Sequence, residues 1–261
     1  MKAYYINLAR RTDRRASMDA QLNRLGIDAE RIEAVTPADL TPEQRARYCD
    51  RQKLRWSTLP ELSCSLSHHA ALRTFLATGE SHALILEDDV ILGPGLPGFL
   101  AKSMPDCDVL HVETFASPQH LSAQAQAEIG GYSLFDVHGW VWGAAAYVVN
   151  RQAAETLLAD SDALAVPFDR VIFNRYRGPG AGLRTWQLDP ALAIQENRLH
   201  GTAPISDIGQ VTTIPNEKPF PNNLLHGMAS WWETEIAMGV PKTLNQALGR
   251  TTRRVVPFAG D

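Results

Sequence analysis

Short apolar runs alternate with helical stripes for the first two hundred residues of this chain. Residues 3–8, 31–35, 83–92, 108–113, 132–137, 142–149 and 183–188 are such runs, punctuated by Gly, Pro, Ser, Asn or Asp. Short unbroken runs of this kind read as strands buried on both faces of a sheet. Between them, Met18, Leu22 and Leu25 recur at i, i+4 and i+7, after Thr12 or Asp13 as cap and before Gly26 as stop. Thr41-Pro42-Glu43-Gln44 starts a second helix with proline at its first position. A longer one spans 59–78, its core-facing stripe formed by Leu62, Leu66, Ala70, Phe75 and Leu76. Residues 151–158 give a helix burying Ala154, Leu157 and Leu158, and 166–170 lead into a short helix capped by Asp169. Strands alternating with helices predict an α/β fold, a mainly parallel sheet flanked by helices.

Two stretches break the pattern. Residues 117–131, rich in Gln, Ala and Ser, have no strong core periodicity and read as an excursion or flexible loop. After Glu196 the regularity stops, and 201–227 are crowded with Gly, Pro, Asn and Thr. The expected organisation is therefore one domain over 1–198 and an irregular C-terminal extension over 199–261. The extension is either a tail folded over the cleft or a partly disordered connector. It ends with Trp231, Trp232, Ile236 and Met238, then a Lys/Arg-rich stretch over 242–254. That end either lies on an anionic membrane surface or packs as a terminal helix with a solvated face.

Composition narrows the classes. With 261 residues, 44% hydrophobic and 21% charged, the chain matches an ordinary globular protein. Its formal charge of −4 gives no electrostatic case for nucleic acid. Cys49, Cys64 and Cys107 have no CxxC spacing and cannot all pair, so a reduced, cytoplasmic setting is expected. The N-terminus turns polar too soon for a signal peptide, and no apolar run approaches the roughly 20 residues of a membrane helix.

The chemistry concentrates at Leu84-Ile85-Leu86-Glu87-Asp88-Asp89-Val90, where a buried strand runs into three consecutive carboxylates. Strand ends of this kind open into the crevice where α/β sheets bind ligands. Adjacent carboxylates repel one another unless a cation or donor groups offset them. A hard divalent ion, Mn²⁺ or Mg²⁺, suits such oxygen ligands and also suits a diphosphate. The alternative is a solvated acidic turn. The first strand leads into Arg10-Arg11-Thr12-Asp13-Arg14-Arg15, a basic loop without a glycine-rich phosphate fingerprint, so arginine or metal must meet any phosphate charge. Cys64 and His68 stand four apart on one helix face, a metal-capable spacing that equally suits a buried Cys beside a His. Trp140 and Trp142, among glycines, are either a platform for a sugar ring or core.

These pieces resemble, in order, the glycosyltransferases of family 25, the lipooligosaccharide galactosyltransferase type. The likeness runs through Ile6-Asn7-Leu8 with Arg11, Asp13 and Arg14, then Glu61-Leu62-Ser63-Cys64-Ser65-Leu66-Ser67-His68, then the acidic strand end. It continues through Gly143–Tyr147, the helix of 151–158 and Pro167-Phe168-Asp169, covering about residues 3–196. Leu62-Ser63 replaces the glycine usual between the helix's Glu and Cys, and nothing after Glu196 matches.

The resemblance implies a GT-A-like fold and transfer of a hexose, most often galactose, from a UDP-sugar to a glycan or glycolipid acceptor such as lipooligosaccharide. Mn²⁺ or Mg²⁺ would be the cofactor; the expected setting is cytoplasmic, with peripheral contact at the inner membrane face as the alternative that the C-terminal residues raise. Within that reading Asp89 is a direct metal ligand, Asp88 touches ribose or metal, and Glu87 supports them. Asn7, Arg10 and Arg14 are candidates for nucleotide or phosphate contact, and Arg11 and Asp13 for orienting the loop. If the reaction inverts, Asp169 is the first choice of general base and Glu196 the second. His200 is a candidate to complete the metal shell, and His68 to line the cleft. The rivals are a metal-dependent phosphohydrolase or nucleotidyltransferase, which wants more carboxylates around two ions, and a non-catalytic carbohydrate-binding protein.

Overall fold

The structure, a computed structural model, describes residues 1–139, 141–201 and 239–260. Trp140, half of the tryptophan pair, lies outside them. So do Trp231, Trp232, Ile236, Met238 and nearly all of the irregular stretch after 201.

Three parallel strands build one side of the main sheet: β1 (Lys2–Asn7), β2 (Ala29–Glu33) and β3 (His82–Glu87), with β1 between the others. β4 (Val90–Leu92) leaves the sheet after the acidic turn. Then come β5 (Val109–His111), β6 (Glu113–Thr114), β7 (Pro118–Ser122), β8 (Ala127–Ile129), β9 (Tyr132–Asp136) and β10 (Ala146–Asn150). β11 (Thr185–Asp189), β12 (Ala193–Gln195) and β13 (Thr251–Val255) complete the described strands. The main sheet has order β2-β1-β3-β10-β5-β11-β9-β8. Pairing directions leave β10 and β9 antiparallel to the rest, so six of its eight strands run one way.

The sheet's continuous apolar runs follow from burial on both faces. Tyr4, Ile6 and Ile85 point to one side, while Ala3, Tyr5, Leu84 and Leu86 point to the other, as the two-residue strand period requires. The first side is covered by Leu72 and Phe75 of α3 (Leu59–Leu76), Ala154 and Leu157 of α5 (Arg151–Ala159), and Phe168 and Ile172 of α6 (Phe168–Ile172). The second is covered by Met18 and Leu22 of α1 (Thr12–Leu25) and by Leu96 and Phe99 of α4 (Leu96–Leu100). Between α1 and α3 lies the short α2 (Pro42–Tyr48), opened by a reciprocal cap between Thr41 and Gln44. Among the described residues no helix is long and apolar enough to cross a membrane.

Several local expectations need correction. Neither Thr12 nor Asp13 caps α1: Arg11 occupies that position without a capping side chain, and its guanidinium grips Asp13 at 2.7 Å instead. That contact holds the exposed Asp13 carboxyl well below the usual range. Pro167, not Asp169, precedes α6, and Asp169 lies in its first turn. Residues 117–131 are not a featureless loop, because β7 pairs with β13 and β8 with β9. β10 begins at Ala146 rather than at Trp142, which is exposed. α3 is buried on its polar side as well. Ser63 and Ser67 can be buried there because each donates to the carbonyl four residues back, at 2.8 Å.

The chain's end returns to the body. β13 runs antiparallel to β7, Val256 is fully buried, and its carbonyl accepts from the Thr114 hydroxyl at 2.7 Å.

Candidate active site

Strand register assembles the site. β1 and β3 are parallel with Ile6 opposite Glu87, so the next residues, Asn7 and Asp88, meet where both strands end. Asn7 Nδ2 donates to Asp88 Oδ2 at 2.7 Å and to the Arg11 carbonyl at 3.1 Å. Its Oδ1 accepts from Arg31 Nε at 3.0 Å. One buried amide thus ties the first two strands, the basic loop and the acidic turn together. Arg14, on the first turn of α1, reaches Asp88 Oδ1 at 3.1 Å and lies 3.7 Å from Asp89 Oδ2. Gln21 of the same helix clamps β4 just past the turn, bonding the Val90 carbonyl and the Leu92 amide.

A smaller sheet, β4-β12-β6, closes the other side. Gln195 lies opposite Val90, and the Glu196 amide donates to the Asp89 carbonyl at 2.8 Å. β6 joins β12 in parallel with Glu113 opposite Ala193. Glu113 is fully buried; its Oε2 accepts from the Ala145 amide at 2.8 Å, and its Oε1 has no hydrogen-bond partner among the described residues. Sequence reasoning missed this carboxylate, although it stands at the end of an apolar run just as Glu87 does.

The acidic turn is electrostatically loaded. Burial, then Glu87, pushes the Asp89 carboxyl up to about 8, with Arg14 pulling the other way. Among the described residues Asp89 Oδ1 is buried without a hydrogen-bond partner. Burial also raises Asp88 against the opposing pull of Asn7 and Arg14. Such a carboxyl prefers a proton or a cation to open charge. The orphaned oxygen and the all-oxygen donors of Asp88 and Asp89 therefore fit a hard divalent ion.

Glu87 turns towards α3, where its Oε1 lies 3.2 Å from His68 Nε2. Cys64, His68 and Glu87 bring their ligand atoms within 4.8 Å of one another. Asp169 sits near this group; its Oδ1 accepts from the Arg170 amide at 2.8 Å and its Oδ2 from the Gly143 amide at 3.4 Å. Burial, reinforced by Glu87, raises its carboxyl. Glu196 and His200 are exposed on α7 (Glu196–Leu199) and just after it, the His200 amide bonded to the Glu196 carbonyl.

A cleft of about 400 Å³ opens beside the turn. Ile6, Leu8, Ala34, Val35, Pro37, Ala38 and Pro60 form its apolar wall, while Arg10, Arg14, Glu87, Asp88 and Asp89 line its charged side. The Arg10–Arg15 cluster thus divides. Arg10 and Arg14 face the cleft, Arg11 holds Asp13, and Arg15 lies 3.6 Å from Asp19. A second cavity of about 420 Å³ lies around Met1, Gly26 and Glu80, at the opposite end of β1 from this chemistry.

Residues 1–172 match the family model described as "Glycosyltransferase family 25 (LPS biosynthesis protein)". The chain belongs to glycosyltransferase family 25. The matched span holds the elements that frame the acidic turn except β12 and α7. Among this family 25 protein's relatives is a lacto-N-neotetraose biosynthesis glycosyltransferase, LgtB, of Neisseria meningitidis serogroup B. It is 27% identical over 75% of this chain and 76% of its own length. The lipooligosaccharide biosynthesis protein lic2B of Haemophilus influenzae is 23% identical over 76% of this chain and 77% of its own. A crystal structure of a glycosyltransferase involved in glycosylation of the major capsid of PBCV-1 overlaps 76% of this chain and 95% of its own. Its TM-score is 0.42 and its identity 14%.

Proposed function

We propose that this protein transfers a hexose, galactose as the first candidate, from a UDP-sugar to a glycan acceptor such as lipooligosaccharide, with inversion and with Mn²⁺ or Mg²⁺. The supporting observation is the pairing of an apolar-walled cleft with an acidic turn whose buried Asp89 oxygen has no hydrogen-bond partner among the described residues. The apolar wall suits a nucleoside, and Arg10 and Arg14 suit the diphosphate. The name of lic2B favours a lipooligosaccharide acceptor, and that of LgtB a glycan acceptor.

In this reading Asp89 and Asp88 hold the ion, Glu87 supports them, and His200 is the further candidate ligand. Asn7 fixes Asp88 for the ribose or the ion. The bound ion supplies Lewis-acid stabilisation to the departing diphosphate. Arg10 and Arg14 orient the diphosphate and meet the charge that grows on it. Asp169 takes the proton from the acceptor hydroxyl as that oxygen attacks the anomeric carbon. Its raised affinity for a proton suits a general base. Glu196, whose own amide donates to the Asp89 carbonyl, is the second candidate.

A lipid-linked acceptor places the work at the cytoplasmic membrane face. Exposed Val240 and Leu244 of the helix Gly239–Ala247, with Leu248 just beyond, offer apolar side chains for peripheral contact. The test is UDP release from a panel of UDP-hexoses, with and without truncated lipooligosaccharide and with Mn²⁺ or EDTA. Acceptor-dependent release from UDP-galactose is expected. No release from any donor with any acceptor would overturn the reading.

A further inference from the structure

We infer that Cys64, His68 and Glu87 form a binding site for a thiophilic divalent cation, Zn²⁺ above all, separate from the hard-ion position at Asp88 and Asp89. Their ligand atoms lie within 4.8 Å of one another, and all three residues line the cleft. Cys64 and His68 are one helical turn apart on α3, so a single rigid element presents both, and the end of β3 presents the third.

The donor set decides the kind of ion. Sulfur, imidazole nitrogen and one carboxylate oxygen form a borderline-soft trio suited to Zn²⁺, whereas all-oxygen ligands select Mg²⁺ or Mn²⁺. Three protein ligands leave the fourth tetrahedral position open, here towards the cleft. Metal–ligand bonds of about 2.0–2.1 Å put neighbouring tetrahedral N and O ligands roughly 3.3 Å apart. His68 Nε2 and Glu87 Oε1 are already 3.2 Å apart, longer than the ~2.7–2.9 Å of a charge-assisted hydrogen bond.

His68 is oriented as a metal-bound imidazole must be. Its Nδ1 faces the Tyr147 hydroxyl at 3.2 Å, and its ring stacks on Phe168 at 4.3 Å with 5° between the planes. Donation from Nδ1–H to that hydroxyl leaves the Nε2 lone pair on the side of Glu87. Without an ion, burial and then Glu87 keep the Cys64 thiol protonated. Uptake forms the S–metal bond, breaks the S–H bond and releases that proton to solvent, so affinity rises with pH.

The test uses the full chain, reduced and stripped with chelator, and no nucleotide sugar, so its outcome is independent of the transferase reading. Titration with Co²⁺ should develop a thiolate-to-cobalt charge-transfer band at one equivalent, and Zn²⁺ should bleach it while Mn²⁺ does not. Cys64→Ser should lose the band; Cys49→Ser should keep it. Glu87→Gln should keep the band yet bind Zn²⁺ about tenfold more weakly. The proposal is overturned by a wild type that folds, by circular dichroism, and shows no band. A band that survives Cys64→Ser, or Zn²⁺ affinity untouched by Glu87→Gln, overturns it equally.

Discussion

At Asp89, burial and the neighbouring Glu87 and Asp88 all disfavour the charged carboxylate, and Arg14 offsets part of that. Its folded pKa of about 8 stands above the ordinary 3.8, so the native state holds a proton that the unfolded chain has lost. Stability from this group is present at low pH and is lost as pH rises towards 8. His69, pushed down to about 4 from 6.5 by burial, slopes the other way and mainly below pH 6.5. In EDTA, the melting temperature should therefore fall from pH 6.5 to 8. Asp89→Asn should flatten that fall and melt higher than wild type at pH 8, while losing about a hundredfold or more in turnover. A melting temperature lowered by Asp89→Asn at pH 8 would contradict the assigned strain. Gly143 has φ +80°, and a Cβ there would stand 2.7 Å from the Phe115 ring and 2.9 Å from Glu113 Oε1. Gly143→Ala should cost about 1–3 kcal/mol in a urea titration and slow turnover, since the Gly143 amide also holds Asp169.

On the scale of elements, α3 carries both Cys64 and His68, and its start is fixed by a reciprocal cap between Thr58 and Glu61. Thr58→Ala should cost about 1 kcal/mol in denaturant midpoint with little effect on the sheet. Elements that advertise themselves locally were legible in the sequence. β3 is an unbroken apolar run, and α3 has a proline at its first turn and a stripe of core positions. β7 and β8 were not legible, because their Gln, Ala and Ser residues carry no core pattern. Their pairing is supplied by β9 and by β13, whose partner in β7 lies about 130 residues away. Glu113 ends an apolar run as Glu87 does, but it stands there alone rather than in a row of three carboxylates. Its place near the acidic turn depends on β6 joining β12 and on the Ala145 amide, neither of which leaves a local mark. Asp169 is not the cap that the sequence suggested, since Pro167 fills that position.

For the molecule as a whole, parallel pairing of β1 with β3 turns two separate sequence signals, the basic loop and the acidic strand end, into one site. The chain's end then closes the edge. β13 covers β7, and Arg254 binds Asp189 at 2.7 Å. Deleting residues 251–261 should cost on the order of 3 kcal/mol or more, by uncovering Leu121 and removing buried Val256. A truncated chain that melts with the full one would show that this return is dispensable. The central claim, that the acidic turn grips a cation which in turn grips a diphosphate, is most directly tested by calorimetric titration of UDP with and without Mn²⁺. UDP should bind tightly only with Mn²⁺, and Asp89→Asn should abolish that dependence. UDP binding of equal strength in Mn²⁺ and EDTA, or none in either, would contradict it.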